Sequence, residues 1–465
     1  MGILNTSKNR DFVQRILNTL SQNGYKAYIV GGAVRDMLLN PLNQDSSNQN
    51  FLNQDSQYQN SGDVDILTNA TAREIHSLFV NSRQVGKTFP VCMVNGIEVA
   101  SCRAGQGVFP EADLGMRDFT INSMAWDPMT NTLVDPFNGK EDFEKKIIRF
   151  TRNPEDRIQE DPLRMIRACR FAARFKGTLS SSSLQAILTH APMIREKVAG
   201  ERIQSELIKA MAMGKPSRFF NCLHDTGLLA GIFPCLDRCF ALDGGPYHGE
   251  TVFEHCLLVG DALPTSQPLL RLAGFLHDAG KFDAVGIKDN RVTFAGHETR
   301  TDAIKKDLEI LRFSSCHTDY ILALVQSHMR PLTEKTKPGS VRRLLAMLEG
   351  YGLSFRDFLR MRIADKKGNL LKHPYTLSEI RVRIRKIQNE LSGRTTLNIN
   401  DLEITGRDII EQLHIAPGPE IGQIKEMLFD KVLEDPSLNT RKHLEQLMDS
   451  LQKNNPLQDK EENAQ

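Results

Sequence analysis

The sequence predicts an α/β head, a mixed sheet with helices, followed by a long all-α body. Three observations carry this. Apolar runs of strand length cluster before about residue 150: Tyr28-Ile29-Val30, Val91-Cys92-Met93-Val94 and Ile97-Glu98-Val99-Ala100. Turn signals punctuate them, Gly31-Gly32 after the first and Asn95-Gly96 between the last two. From about Pro162 the apolar spacing becomes helical and stays so. A chain of 465 residues has room for several domains.

The elements follow in order. Residues 10–23 read as a helix, with Phe12, Val13, Ile16, Leu17 and Leu20 on one stripe and Gly24 as the stop. A strand follows, then Gly31-Gly32 opens a helix-like Ala33-Val34-Arg35-Asp36-Met37-Leu38-Leu39. Bare backbone at a helix N-terminus can approach a phosphate, and Arg35 can neutralise it. In Ser61-Gly62-Asp63-Val64-Asp65-Ile66, period 2 puts Asp63 and Asp65 on one strand face, about 6–7 Å apart. Such a pair suits hard divalent cations. An isolated Asp-x-Asp is more often a solvated turn. Behind a Gly-Gly-x-Val-Arg-Asp it describes a metal-dependent nucleotidyl transfer site. Glu98 has two readings: a third carboxylate for that site, or an exposed strand residue paired with Arg103.

Between Arg35 and Asp63 lies an Asn/Gln/Ser-rich tandem duplication, residues 42–50 nearly repeated at 52–60. Such a tract cannot bury enough apolar surface to order itself, so a disordered insertion is predicted over about 41–61. The polar tail 453–465 is predicted disordered too.

Asp161 and Arg164 are three apart and are predicted on one helix, as neighbours. Side by side, a guanidinium fork and a carboxylate can imitate the Watson–Crick edge of a base, or simply form an intrahelical salt bridge. Arg164, Arg167, Arg170 and Arg174 fall in one basic stripe on this helix, opposite Met165, Ala168, Cys169 and Ala172. The stripe suits phosphate contact, or a solvated face packed by acidic partners. Further on, His255, His277, Asp278, His297, His328 and Asp365 form a mixed nitrogen and oxygen donor set suited to Mn, Fe, Ni or Mg.

The net charge is only +2, so any nucleic-acid surface must be local. Eight cysteines include no Cys-x-x-Cys pair, and Cys235 and Cys239 make a poor zinc site. Free thiols in a reducing cytoplasm are expected. No apolar run has membrane-span length and Met1-Gly2-Ile3-Leu4-Asn5 lacks a signal pattern, so a cytoplasmic protein with no membrane partner is expected.

Five ordered motifs carry a resemblance: the glycine pair with Asp63 and Asp65; Arg117-Asp118-Phe119-Thr120-Ile121-Asn122; Asp135-Pro136-Phe137-Asn138-Gly139 with Asp142; Glu160-Asp161-Pro162-Leu163-Arg164; and Glu201-Arg202-Ile203 with Glu206-Leu207. Together they resemble the class II tRNA nucleotidyltransferase and poly(A) polymerase family, along nearly the whole chain. The resemblance implies a nucleotidyltransferase head using Mg2+ on Asp63 and Asp65, with Glu98 beside them. It implies nucleotide binding by Gly31, Gly32, Arg35, Arg117, Asp118, Asn122, Asp161, Arg164, Arg167 and Arg170, with 117–122 as a strand. Asp161 and Arg164 would choose CTP or ATP without a nucleic-acid template. Leu269 to Lys281 resembles the HD phosphohydrolase signature. That implies a divalent transition metal or Mg2+ held by His255, His277, Asp278, His297, His328 and Asp365.

The implied organisation is a head at 1–150, a neck with nucleotide-reading and RNA-binding helices at 151–245, an HD domain at 246–370 and a helical tRNA-binding tail at 371–452. In the tail, Gly406-Arg407-Asp408-Ile409-Ile410 and Pro417 to Gly422 resemble family pieces; they present helix-end backbone to tRNA phosphates, or merely punctuate helices. Two departures refine the expectation. Met116 stands where the family usually has an arginine, so one triphosphate contact is missing. The stretch between Arg103 and Arg117 is short where CCA-adding members carry a long flexible loop. That looks like the CC-adding branch, which leaves the terminal adenosine to a separate A-adding enzyme. The expected partners are tRNA and CTP, with ATP if the full CCA is added. Full CCA addition is the next reading and poly(A) synthesis the third. An HD-type phosphohydrolase acting on RNA ends or nucleotides is the alternative of another class.

Overall fold

The computed structural model describes residues 6–38, 64–85, 91–102, 108–392 and 397–454, with side chains from 11 to 450 among these. Asp63, Arg103, the 41–61 insertion and residues 455–465 of the polar tail lie outside the described residues. The chain forms two compact units. One runs to Glu206 and includes Arg218–Ile232; the other comprises Leu207–Ser217 and everything from Phe233 on.

The first unit contains a mixed sheet, in agreement with the predicted head. Its strands are β1 (Ala27–Val30), β2 (Asp65–Thr68), β3 (Arg83–Val85), β4 (Val91–Val94), β5 (Ile97–Ser101), β6 (Ala125–Asp127) and β7 (Thr132–Val134). They lie in the order β3-β4-β5-β2-β1-β6-β7. Only β2 and β5 run parallel; every other neighbouring pair is antiparallel. The β4–β5 turn has positive φ at both Asn95 and Gly96, which an Asn-Gly hairpin turn tolerates.

Strand alternation divides the core. Ile29, Ile66 and Val99 point to the face closed by Val13, Ile16, Leu17 and Leu20 of the helix Thr6–Gln22, with Ala33 and Val34. That helix ends where Gly24 adopts φ +84°. The other face carries Tyr28, Val30, Leu67 and Ala100, packed against Leu114 and Phe109. This is the face that presents Asp65 and Glu98, whose register partners are Val30 and Met93.

Three expectations are corrected in this unit. Residues 117–122 are not a strand. Phe119 makes a single bridge to Phe150, and Thr120–Asn122 is a 3-10 turn. Asp161 and Arg164 do not share a helix. One helix, Pro154–Glu160, ends with Asp161 at φ −154° and ψ 97°; the next, Leu163–Phe175, carries Arg164. Pro162 is the cause, since it drives the preceding residue out of the helical region. Third, a short parallel pair, β8 (Ile147–Ile148) with β9 (Thr178–Leu179), interrupts the helices.

Among its described residues the second unit is mainly helical, with a single antiparallel bridge between Asp243 and Thr251 and a hairpin, β10 (Gly286–Lys288) with β11 (Arg291–Thr293). Asp289 and Asn290 both take positive φ there, as short polar side chains can. Helices Val252–Ala262, Pro268–Leu276, Ser315–Ser327 and Phe355–Gly368 frame the histidine cluster. Gly368 sits at a close crossing: a Cβ there would lie 2.7 Å from Val259 Cγ2. Residues 402–448 build their own small core around Ile404, Ile409, Leu428, Val432, Leu444 and Met448. In the helix Gly406–Leu413, Thr405 and Asp408 form a capping box, so a carboxylate already occupies that N-terminus. Among the described residues, no helix is long and apolar enough to cross a membrane.

Candidate functional site

The head places three predicted features at one end of its sheet. Antiparallel register sets Val30 opposite Asp65, so the Gly31-Gly32 turn emerges beside the Asp65 carboxylate. Parallel register sets Asp65 opposite Glu98. Both are partly exposed, while their neighbours Ile66 and Val99 are fully buried on the other face. Register partners on adjacent strands stand about 4.8 Å apart, close enough for two carboxylates to share a cation. Gly31 has φ +74°, and a Cβ there would fall 2.9 Å from Arg117 Nη1 and 3.6 Å from Asp65 Oδ2. The positive φ is what calls for glycine here, and the bare backbone lets the Arg117 guanidinium come close.

Behind the glycines runs a buried polar chain. Arg35, 4% exposed, donates from Nη1 to Asn122 Oδ1 at 2.5 Å and from Nη2 to Asp36 Oδ1 at 3.0 Å. Its guanidinium lies 4.8 Å from the Phe175 ring centre. Asn122 donates to Asp118 Oδ1 at 2.9 Å, and Arg167 donates to Asp118 Oδ2 from Nε and Nη2 at 2.9 and 2.6 Å. Burial pushes the Asp118 carboxyl up, but the Arg167 guanidinium and the Asn122 amide outweigh it and leave it below the usual carboxylate range. Asp142 anchors this turn, accepting from Thr120 Oγ1 at 2.7 Å and from Arg149. Asp135 caps the helix Gly139–Glu144 through the Gly139 and Lys140 amides.

The arginine stripe is less uniform than expected. Arg170 is only 8% exposed and donates to Glu206 Oε2 at 2.5 Å, so its charge is committed inside the fold. Of the two readings of the stripe, Arg170 follows the acidic-partner one, in a buried pair rather than on a solvated face, and is not placed for nucleotide contact. Arg167 also approaches Glu206, at 3.6 Å. Arg174 is 43% exposed and lies 3.9 Å from Asp36.

Asp161 and Arg164 are held by other residues. Arg202 donates to both Asp161 oxygens, at 3.1 and 2.8 Å. Arg164 Nη1 donates to Glu160 Oε2 at 2.8 Å and to the Arg157 carbonyl at 2.9 Å. Both bonds use Nη1, which leaves the Nε–Nη2 edge for another acceptor. Glu160 also pairs with Arg157, which is buried and reaches the Gly115 carbonyl. Sequence reasoning did not identify Arg157 or the Arg202–Asp161 pair; only the closeness of Glu201-Arg202 to the motif hinted at the latter.

In the second unit the six predicted donors converge. His255 lies on Val252–Ala262, His277 and Asp278 follow Pro268–Leu276, His297 opens a 3-10 turn, His328 caps Ser315–Ser327 and Asp365 lies on Phe355–Gly368. Asp278 Oδ1 faces His297 Nε2 at 3.0 Å and His328 Nε2 at 3.4 Å. Its Oδ2 faces His277 Nε2 at 3.4 Å, His255 Nε2 at 3.7 Å and Lys281 Nζ at 2.7 Å. Asp365 Oδ1 stands 3.2 Å from His255 Nε2. The outward ring nitrogens are all held: His277 Nδ1 by Gly274 O, His297 Nδ1 by Phe294 O, His328 Nδ1 by Val325 O and His255 Nδ1 by Glu250. Such partners fix the tautomer that turns each Nε2 lone pair inward.

These residues fit a divalent ion. His277 Nε2 is fully buried yet makes no hydrogen bond. Burial holds that imidazole down to about 3, in its neutral, ligating form. The donors form overlapping groups, His255 with His277 and Asp365, and His277 with Asp278 and His328, so that His277 is common to both. Glu250, His248 and Lys281 join them in space. Lys281 was within reach of the sequence, three residues after Asp278; Glu250 and His248 gave no signal. The cysteines show no metal pattern: Cys235 and Cys239 are buried, and burial pushes the Cys239 thiol up to about 12.

Comparison with known proteins identifies the family of the head and of the segment that follows it. Residues 27–149 match the family described as poly A polymerase head domain, and residues 178–240 match the probable RNA and SrmB-binding site of polymerase A. The chain is 36% identical over 217 residues to a CC-adding tRNA nucleotidyltransferase of Halalkalibacterium halodurans, covering 46% of this chain and 52% of that one. It is 33% identical over 346 residues to a multifunctional CCA protein of Laribacter hongkongensis, covering 69% of this chain and 79% of that one. A crystal structure of the Bacillus stearothermophilus CCA-adding enzyme in complex with CTP matches with a TM-score of 0.63 at 22% identity, over 97% of this chain and 99% of that one. The chain belongs to the class II tRNA nucleotidyltransferase and poly(A) polymerase family, and it is an enzyme.

Proposed function

We propose that this protein extends the 3′ end of tRNA by adding two cytidines from CTP, one after the other, and leaves the terminal adenosine to another enzyme. The carrying observation is the segment between Arg103 and Arg117. It is short, and its described part is docked: Leu114 is buried, and a Cβ on Gly115 would meet the Arg152 guanidinium at 2.3 Å. A docked segment is a poor lever for swinging Asp161 and Arg164 from cytosine to adenine.

Asp63, Asp65 and Glu98 would hold Mg2+, which when bound activates a hydroxyl and stabilises a pyrophosphate leaving group. Gly31 and Gly32 give phosphate close access to backbone, beside Arg117. Arg35 and Arg167 keep Asn122 and Asp118 in place behind it. Arg164 offers its Nε–Nη2 edge to the base, and Asp161 exchanges Arg202 for the cytosine amino group. The five-part organisation from head to tail, and a cytoplasmic location, belong to the same proposal.

The test is a tRNA lacking its 3′ CCA, incubated with CTP alone, ATP alone and both. Two cytidines and then a stall are expected, even with ATP in excess. Addition of A to a tRNA ending in CC overturns the CC-adding reading in favour of CCA addition. Long A tracts from ATP alone point to poly(A) synthesis.

The histidine cluster favours a second activity. We propose that it holds a divalent transition ion or Mg2+, which when bound supplies an activated water for phosphoester hydrolysis. Loss of both metal and phosphoesterase activity in His277→Ala is the expected result.

A further inference from the structure

We propose that Glu250 is a positioning residue of the metal centre: it fixes the ring of His255 toward the ion and ties the helix bearing Asp365 to the helix bearing His255. The proposal rests on the metal-centre reading above. Glu250 is 6% exposed and none of the six donors, yet its carboxylate is fully used. Oε1 accepts from two imidazoles, His248 Nδ1 at 2.8 Å and His255 Nδ1 at 3.1 Å. Oε2 accepts from two backbone amides, Gly249 at 2.9 Å and Leu370 at 3.1 Å.

The division of labour is what matters. His277, His297 and His328 are oriented by backbone carbonyls at the ends of their own local turns. Of the four, only His255 has a side chain as the hydrogen-bond partner of Nδ1, a buried carboxylate; the Glu298 carboxylate stands further off, 3.8 Å from His297 Nδ1. A carboxylate on Nδ1–H makes Nε2 a stronger donor than a carbonyl does. The Oε2 bond to Leu370 reaches just past the end of Phe355–Gly368, the helix that carries Asp365. Asn369 reinforces the latch by donating from Nδ2 to the Tyr247 carbonyl at 3.0 Å. The helices are already forced together at Gly368. Glu250 thus joins the first and last donors of the set, which stand 3.2 Å apart.

The experiment uses the full-length protein and Co2+ alone as probe. Wild type, Glu250→Gln, Glu250→Ala and His277→Ala are stripped, reloaded and compared by ion stoichiometry, by chelator-competition affinity and by the visible Co2+ spectrum. The thermal midpoint is measured with and without ion. Glu250→Ala should bind Co2+ about 10–100-fold more weakly, with a shifted spectrum and a smaller ion-induced rise in midpoint. Glu250→Gln keeps an acceptor for His255 Nδ1 and should lose less; it also serves if the alanine variant fails to fold. Wild-type affinity and spectrum in either folded variant, with only the ion-free midpoint lowered, would make Glu250 a purely structural residue and overturn the proposal. If wild type binds no more Co2+ than His277→Ala, the metal-centre reading itself fails, and the proposal with it.

Discussion

Asp65 and Glu98 are register partners across the one parallel pair of the head sheet, their carboxylates on the same face. That juxtaposition is tertiary, because the helix Ala72–Leu78 and two further strands separate them in the chain. Asp65→Ala should lower nucleotide addition by about three decades, the scale of a lost metal ligand. Glu98→Gln should cost at least about two decades while circular dichroism stays unchanged. Near-normal turnover in Glu98→Gln would return Glu98 to the role of an exposed strand residue.

Arg164→Ala should damage base choice more than triphosphate binding. In the proposed complex its guanidinium meets the base, while Arg35 and Arg117 remain near the glycine turn. The loss of a two-pronged base contact costs about 1–3 kcal/mol. The ratio of kcat/KM for CTP over UTP and ATP measures it. An unchanged ratio would remove Arg164 from base reading.

Asp118 makes the head sensitive to acid. Its folded carboxyl lies below the unfolded value of about 3.9. The stabilisation is therefore complete above that value and is lost as pH falls through the native one. Urea midpoints of wild type and Asp118→Asn should differ by a constant amount from pH 5 to 7 and converge below about pH 4. A difference that persists undiminished into strong acid would mean the Arg167–Asp118 pair contributes nothing through its charge.

The metal centre should be separable from the head. Asp278→Ala removes the carboxylate that faces all four candidate histidine donors, so metal content of the purified protein should fall to background. Addition of cytidine by the same variant should stay within about twofold of wild type. Wild-type metal content in Asp278→Ala would dismiss the site.

What the sequence revealed depended on how local the cause was. Period 2 at Val64-Asp65-Ile66 and the glycines at 31 and 32 are short-range signals, and the fold uses them as read. Asp161 departs from the helical spacing because Pro162, a local signal too, forces its neighbour into an extended conformation. Arg170 read as surface because its partner, Glu206, lies on a different helix. The six candidate metal donors were recognisable from their order, but Glu250 was not. Its partners are at 248, 249, 255 and 370, and no pattern of spacing links them.

Val30 and Asp65 are opposed in the sheet although the duplicated tract lies between them in the chain. The pairing fixes the two ends of that connection and leaves its contour length open. Closing a longer connection costs little, about 0.6 kcal/mol for each doubling. By that arithmetic one repeat copy more or less changes the cost of closing the connection by well under about 1 kcal/mol, and the Val30–Asp65 pairing that sets the carboxylate beside Gly31 does not depend on the copy number.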